Sequence, residues 1–131
     1  MSRREEYEGL MRRSEEFYAT ALLQAERNMY DLAVFSLEQS LQLFLKACLL
    51  RLGVDFPRTH SVRTLLNILA QLTEKNDVKQ LLTIYSVELG SIEDAYIVSR
   101  YMPRRYTAAE FDRLKETVKK VRDVVGGVLA P

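Results

Sequence analysis

Tyr30-Asp31-Leu32-Ala33-Val34-Phe35-Ser36-Leu37-Glu38-Gln39-Ser40-Leu41-Gln42-Leu43-Phe44-Leu45-Lys46-Ala47 decides the fold of this 131-residue chain. Ala33, Val34, Leu37, Leu41, Phe44 and Leu45 fall on one stripe, which continues through Cys48, Leu49 and Leu52. Residues three and four apart share a face of an α-helix, so this spacing predicts a helix from about Tyr30 to Leu52. Leu32, Phe35, Leu43, Ala47 and Leu50 cover much of the remaining circumference, which puts that helix at the centre of a bundle. Ser36, Ser40 and Ala47 set small side chains along one side, where a neighbouring helix can approach closely. Glu38, Gln42 and Lys46 step by four along a polar strip. Such a strip either lines a polar cleft or forms the solvated seam of its helix, and the seam is the more frequent arrangement.

Upstream, Tyr7, Leu10, Met11, Phe17, Tyr18, Ala21, Leu22 and Ala25 recur at helical spacing while Arg12, Arg13, Glu15 and Glu16 fall elsewhere. A long amphipathic helix is expected from Ser2 to Arg27, with Asn28 as a left-handed C-cap and Asp31 placing an acid at the next helix start. Downstream, Gly53 stops the central helix and Pro57 forces its predecessor out of the helical region, so Val54 to His60 is a loop. Ser61 caps a shorter helix through Leu72, and Thr73 to Asp77 reads as a polar turn. A fourth helical region is expected from Val78 to about Tyr101. It is interrupted near Gly90-Ser91, where Ser91 and Asp94 make an approximate capping box, and Pro103 ends it. Thr107-Ala108-Ala109-Glu110 is a capping box, and Phe111, Leu114, Val118, Val121 and Val125 form an inner stripe down to Gly126-Gly127. Without a repeat or linker, the expected architecture is all-α. It is an antiparallel up-and-down four-helix bundle with an additional short helix, one domain over 1–131.

Nineteen Lys+Arg against eighteen Asp+Glu leave a net charge of +1, which excludes a surface that coats nucleic acid or anionic membrane as a whole. Any such binding must come from a local patch. Five glycines and three prolines are too few for an all-β fold with its frequent turns. The single Cys48 cannot form an internal disulfide, no apolar run is read as a membrane span, and the N-terminus lacks a signal-peptide core. A soluble, cytoplasmic setting is therefore expected. With one histidine, His60, and one cysteine, a His/Cys metal site within one chain is excluded, and no cofactor is expected.

Two segments carry chemistry. Phe56-Pro57-Arg58-Thr59-His60-Ser61 is a loop leading into a helix start, where free backbone donors, Arg58 and His60 suit a phosphate. The plain alternative is that His60 caps a helix or packs between helices. Ser99-Arg100-Tyr101-Met102-Pro103-Arg104-Arg105-Tyr106 interleaves three arginines with two tyrosines; guanidinium groups bind phosphate bidentately and tyrosines stack on bases. Its plain alternative is a helix-ending turn whose arginines neutralise Glu93 and Asp94. Lys115, Glu116, Lys119, Lys120, Arg122 and Asp123 mix signs and read as a solvated face without function. No Gly-rich phosphate loop, nucleophile elbow or Cys-His arrangement occurs.

The run Tyr30 to Ala47, followed by Gly53, then Phe56 to Val62, then Arg100-Tyr101 with Tyr106 and Thr107, resembles the HEPN domain family over nearly the whole chain. The resemblance implies a helical bundle that commonly dimerises, with nucleotide or RNA binding. It also implies, in many prokaryotic members, pairing with a minimal nucleotidyltransferase in toxin-antitoxin systems. Several members are metal-independent ribonucleases that use an Arg followed four to six residues later by His. Here His60 has no Arg at that upstream spacing, and the spacing after Arg100 brings Arg105 instead of a histidine. The partner for acid-base work is missing from the motif.

The expectation is a homodimeric, non-catalytic or weakly catalytic module that binds nucleotide or RNA phosphates beside a separately encoded nucleotidyltransferase. Arg100, Arg104, Arg105, Arg58 and His60 are assigned to phosphate, Tyr101 and Tyr106 to stacking. Two alternatives stand: a ribonuclease using His60 beside Arg100, and a structural module whose apolar seam docks a partner helix.

Overall fold

Ser2 begins the first helix by accepting from the Glu5 amide, and Glu5 returns the bond to the Ser2 backbone N–H. The resulting α1 spans Arg3–Glu26 and ends where Asn28 takes a positive φ of 60°, as the turn residue should. The computed structural model describes residues 2–102 and 105–130. Among them the further helices are α2 (Tyr30–Arg51), α3 (Val62–Thr73), α4 (Asn76–Ile84), α5 (Ser86–Tyr101) and α6 (Ala108–Leu129), with no strand. Gly53 at φ 81° closes α2, Ser61 caps α3 through the Thr64 amide, and Thr107 with Glu110 forms the reciprocal box that starts α6.

The expected break at Gly90-Ser91 falls instead at Tyr85, between α4 and α5. Gly90 remains helical beside the Arg63 guanidinium, and the Ser91 carbonyl accepts from the Tyr106 hydroxyl at 3.1 Å. Tertiary contacts thus hold a stretch that local propensity would break. The polar turn is also shorter than expected, because α4 already starts at Asn76 after Glu74 takes a left-handed conformation at φ 56°. At the other end, α6 runs past Gly126-Gly127 to Leu129, since Val124, Val128 and Leu129 still pack on the core.

α2 lies at the centre and packs against α1, α3, α5 and α6. It is long and apolar enough to cross a membrane, but 72% of its apolar window is buried by these neighbours, so its hydrophobicity serves the core. The small residues on one side of α2 let α1 approach closely. Ser14 Oγ donates to the Ser40 carbonyl at 2.6 Å, Ser40 Oγ donates to the Ser14 carbonyl at 2.7 Å, and Ser36 Oγ donates to Gln24 Oε1 at 2.6 Å. Ser40→Leu forces the two helices apart and removes a buried hydrogen-bond pair. It is expected to lower the unfolding free energy by about 3 kcal/mol in urea titration.

Candidate functional site

α2 and α5 run antiparallel, which brings Phe35 opposite Tyr96 and Arg100, and Glu38 to the level of Glu93. The Phe35 and Tyr96 rings are 6.4 Å apart and tilted by 34°. His60 arrives from the loop between α2 and α3 and stacks on Tyr96, with centroids 4.0 Å apart and planes within 19°. Arg100 lies 4.5 Å from the same ring, 5.6 Å from Phe35 and 5.1 Å from Tyr101. Its Nε and one Nη donate to the Tyr96 carbonyl at 3.0 and 2.6 Å, fixing the fork at the end of α5. The rest of that guanidinium has no hydrogen-bond partner among the described residues, and Arg100 and His60 are exposed.

Below this cluster Glu38 is completely buried. Burial pushes its carboxyl up to about 7, against the opposing hydrogen bonds from Gln42 and Gln39. Gln42 Nε2 and Gln39 Nε2 each donate to it at 2.7 Å, and Lys46 Nζ donates to Gln42 Oε1 at 3.0 Å. Lys46 also sits 5.3 Å from the Phe56 ring. The strip Glu38, Gln42 and Lys46 is therefore a hydrogen-bonded ladder, buried at Glu38 and Gln42 and half-buried at Lys46, and the solvated-seam arrangement is corrected. The ladder closes because each polar atom finds a partner within it, which is the condition for burying such groups. Nearby, Glu93 receives Ser61 Oγ and lies 2.7 Å from Arg63. Burial would raise the Glu93 carboxyl, yet the bonds from Arg63 and Ser61 outweigh it and hold it below its usual range. Arg63, which the sequence did not single out, thus takes the neutralising role expected of the arginines near residue 100.

The expected site residues part company. His60 and Arg100 converge on Tyr96, and Tyr101 meets Arg100, so the loop and the end of α5 form one cluster instead of two. Arg58 is exposed two residues before His60. Arg105 lies on the rim of a separate cavity of about 210 Å³ beside Met29, Asp31 and Leu32. Arg104 lies outside the described residues. Tyr106 is corrected from a stacking ring to a structural residue: it is 4% exposed, its amide donates to Asp31 Oδ1 at 2.7 Å, and its hydroxyl reaches the Ser91 carbonyl. Phe35 and Tyr96 were missed. The i,i+4 pair of Tyr96 and Arg100 was the signal available for Tyr96.

Two other groups lie apart from this cluster. The Cys48 thiol is buried and pushed up to about 12 by desolvation, so it supplies no nucleophile at neutral pH. On α6, Arg122 lies 5.7 and 5.5 Å from the Tyr18 and Phe44 rings, beside Lys119 and Asp123.

Tyr96 already carries His60 stacked on it and Arg100 over its ring, so the arrangement offers the exposed Tyr101 ring as an aromatic face, a fixed guanidinium with open donors for a phosphate, and an imidazole held nearby. A family model described as HEPN domain matches residues 7–128. No curated protein and no solved structure gives a significant match.

Proposed function

The chain belongs to the HEPN domain family, a family of nucleotide- and RNA-related modules, and we propose that it binds nucleotide or RNA through the surface around Tyr96. The observation that carries this reading is the convergence of His60 and Arg100 on one ring from distant parts of the chain. Arg100 holds phosphate, His60 adds a second donor, Tyr96 holds these two side chains in place, and the exposed Tyr101 ring supplies stacking surface.

The protein works as a cytoplasmic homodimer beside a minimal nucleotidyltransferase in a toxin-antitoxin arrangement, as the family membership suggests. Support for a second copy comes from Met29, Leu32, Ile97, Tyr101 and Met102, exposed apolar residues near Phe35, Tyr96 and Arg100 in sequence. Light scattering is expected to give twice the mass of one chain; a monomer at every concentration contradicts the dimer.

Affinity for a labelled nucleotide or short RNA tests the binding function. Arg100→Ala, folded and of unchanged mass, should weaken it by about tenfold, and Arg105→Ala by less. Unchanged affinity in Arg100→Ala overturns the assignment. The meeting of His60 with Arg100 also favours a second reading, metal-independent RNA cleavage with His60 as base. Cleavage in chelator that His60→Ala abolishes supports it, and identical residual cleavage in both proteins rejects it.

A further inference from the structure

Glu93, Tyr96 and Arg100 follow one another at single-turn spacing along α5, so they share a face of that helix. Arg100 is tied to this face directly, through the bonds from its fork to the Tyr96 carbonyl. His60 comes from the loop before α3, is exposed, and makes no side-chain hydrogen bond among the described residues. Stacking on Tyr96 at 4.0 Å is a weak restraint for a ring on a loop, so its place depends on what fixes the backbone beside it.

The next residue supplies that fixation. Ser61 Oγ accepts from the Thr64 amide at 3.1 Å, which caps α3, and its one proton goes to Glu93 Oε1. Arg63 closes the clamp from the first turn of α3. Its Nε and one Nη donate to Glu93 Oε2 at 3.2 and 2.7 Å, and its amide donates to Oε1 at 3.4 Å. Four donors from Ser61 and Arg63 thus engage both oxygens of one half-buried carboxylate. The body of α3 is held separately, by Val62, Leu65, Leu66 and Leu69 in the core. What the clamp governs is the start of the helix and the loop residue that precedes it.

Resting on the proposed roles of His60 and Arg100 in binding, we propose that Glu93 is a positioning residue of the ligand site, which acts through Ser61 and Arg63 to hold His60 against Tyr96. Glu93 has the wrong charge to meet a phosphate, and its oxygens are turned to Ser61 and Arg63. Its effect on the ligand passes through His60. Both donors are then referenced to α5, Arg100 by belonging to it and His60 by the clamp. Donors set in place before the ligand arrives lose less freedom on binding, which raises affinity.

Glu93→Gln keeps the size of the side chain, removes its charge and turns an NH2 toward groups that only donate. In nuclear magnetic resonance spectra of the free protein, the His60 ring protons of this variant are expected to move toward the values of an unstacked histidine. The methyl signals of Leu65, Leu66 and Leu69 should stay in place, since they belong to the separately held body of α3. Calorimetric titration with AMP or a short RNA should show binding weakened about fivefold by Glu93→Gln and by His60→Ala. The double variant should be no weaker than His60→Ala alone, because Glu93 acts only through His60. His60 signals that stay unmoved in Glu93→Gln overturn the inference, and so does a loss from Glu93→Gln that persists in full beside His60→Ala. Wild-type affinity in Glu93→Gln, with binding weakened by Arg100→Ala, overturns it and leaves the binding function standing. Failure of the wild type to bind AMP and RNA overturns that function, and the His60 signals still decide whether the clamp exists.

Discussion

Glu38→Gln is expected to stabilise the protein at pH 8 and to leave its stability nearly unchanged at pH 4.5. The carboxyl is completely buried, and burial lifts it from its ordinary 4.5 to about 7. The folded protein therefore holds a proton in this interval that the unfolded chain releases. The stability linked to this group is fully present below about pH 4.5, declines as pH rises through 7, and levels off above it. A difference of this size corresponds to about 3 kcal/mol at pH 8. Glutamine keeps the volume and can bond to Gln39 and Gln42 without a charge, so most of that penalty is removed. Urea titrations of both proteins at pH 4.5 and pH 8 should diverge only at the higher value. A substitution that destabilises equally at both pH values contradicts the account of Glu38.

Tyr96→Ala carries the largest expected effect on binding. This ring touches His60, Arg100 and Phe35, so its removal takes away the surface that positions His60 and Arg100 and lets both side chains wander. Losing an aligned hydrogen bond to a charged phosphate costs about 1.5–3 kcal/mol, which predicts a roughly 10- to 150-fold weaker complex with a short RNA. Tyr96→Phe preserves the face of the ring and should stay within a few-fold of the wild type. Equal losses in the two variants would assign the effect to the hydroxyl, against the stacking role. Circular dichroism separates either outcome from unfolding, since Tyr96 is only half-buried and α5 remains tied to α2 by Leu89, Ile92 and Ala95 in the core.

The helices were legible where their signals are local. The stripe from Ala33 to Leu49, the caps at Ser61 and Thr107, and the turns at Asn28 and Gly53 depend on residues a few positions apart. The break at Tyr85 was not legible, because no glycine or proline marks it, and Gly90 drew attention to the wrong place. Within the site, the loop at His60 and the arginine at position 100 were each visible. Their meeting was not, since it depends on antiparallel packing of α2 with α5 and on a tyrosine outside both segments. The strip from Glu38 to Lys46 shows why burial is hard to read from period alone. A four-residue polar spacing looks the same on a solvated seam and in a closed hydrogen-bond ladder, and only the neighbour on the far side distinguishes them. Tyr106 illustrates the converse: aromatic and adjacent to arginines, it belongs to the core because Asp31 and Ser91 take its polar groups.

These assignments meet in one claim, that ligand binds where Phe35, His60, Tyr96 and Arg100 come together. Nuclear magnetic resonance titration of the isotope-labelled protein with AMP or a short RNA reports directly on which residues sense the ligand. The shifts are expected at those four residues and at Tyr101, with the His60 and Tyr96 ring signals moving most. Shifts confined to the Tyr18, Phe44 and Arg122 groove, or to the cavity beside Arg105, would place the ligand elsewhere and contradict the site.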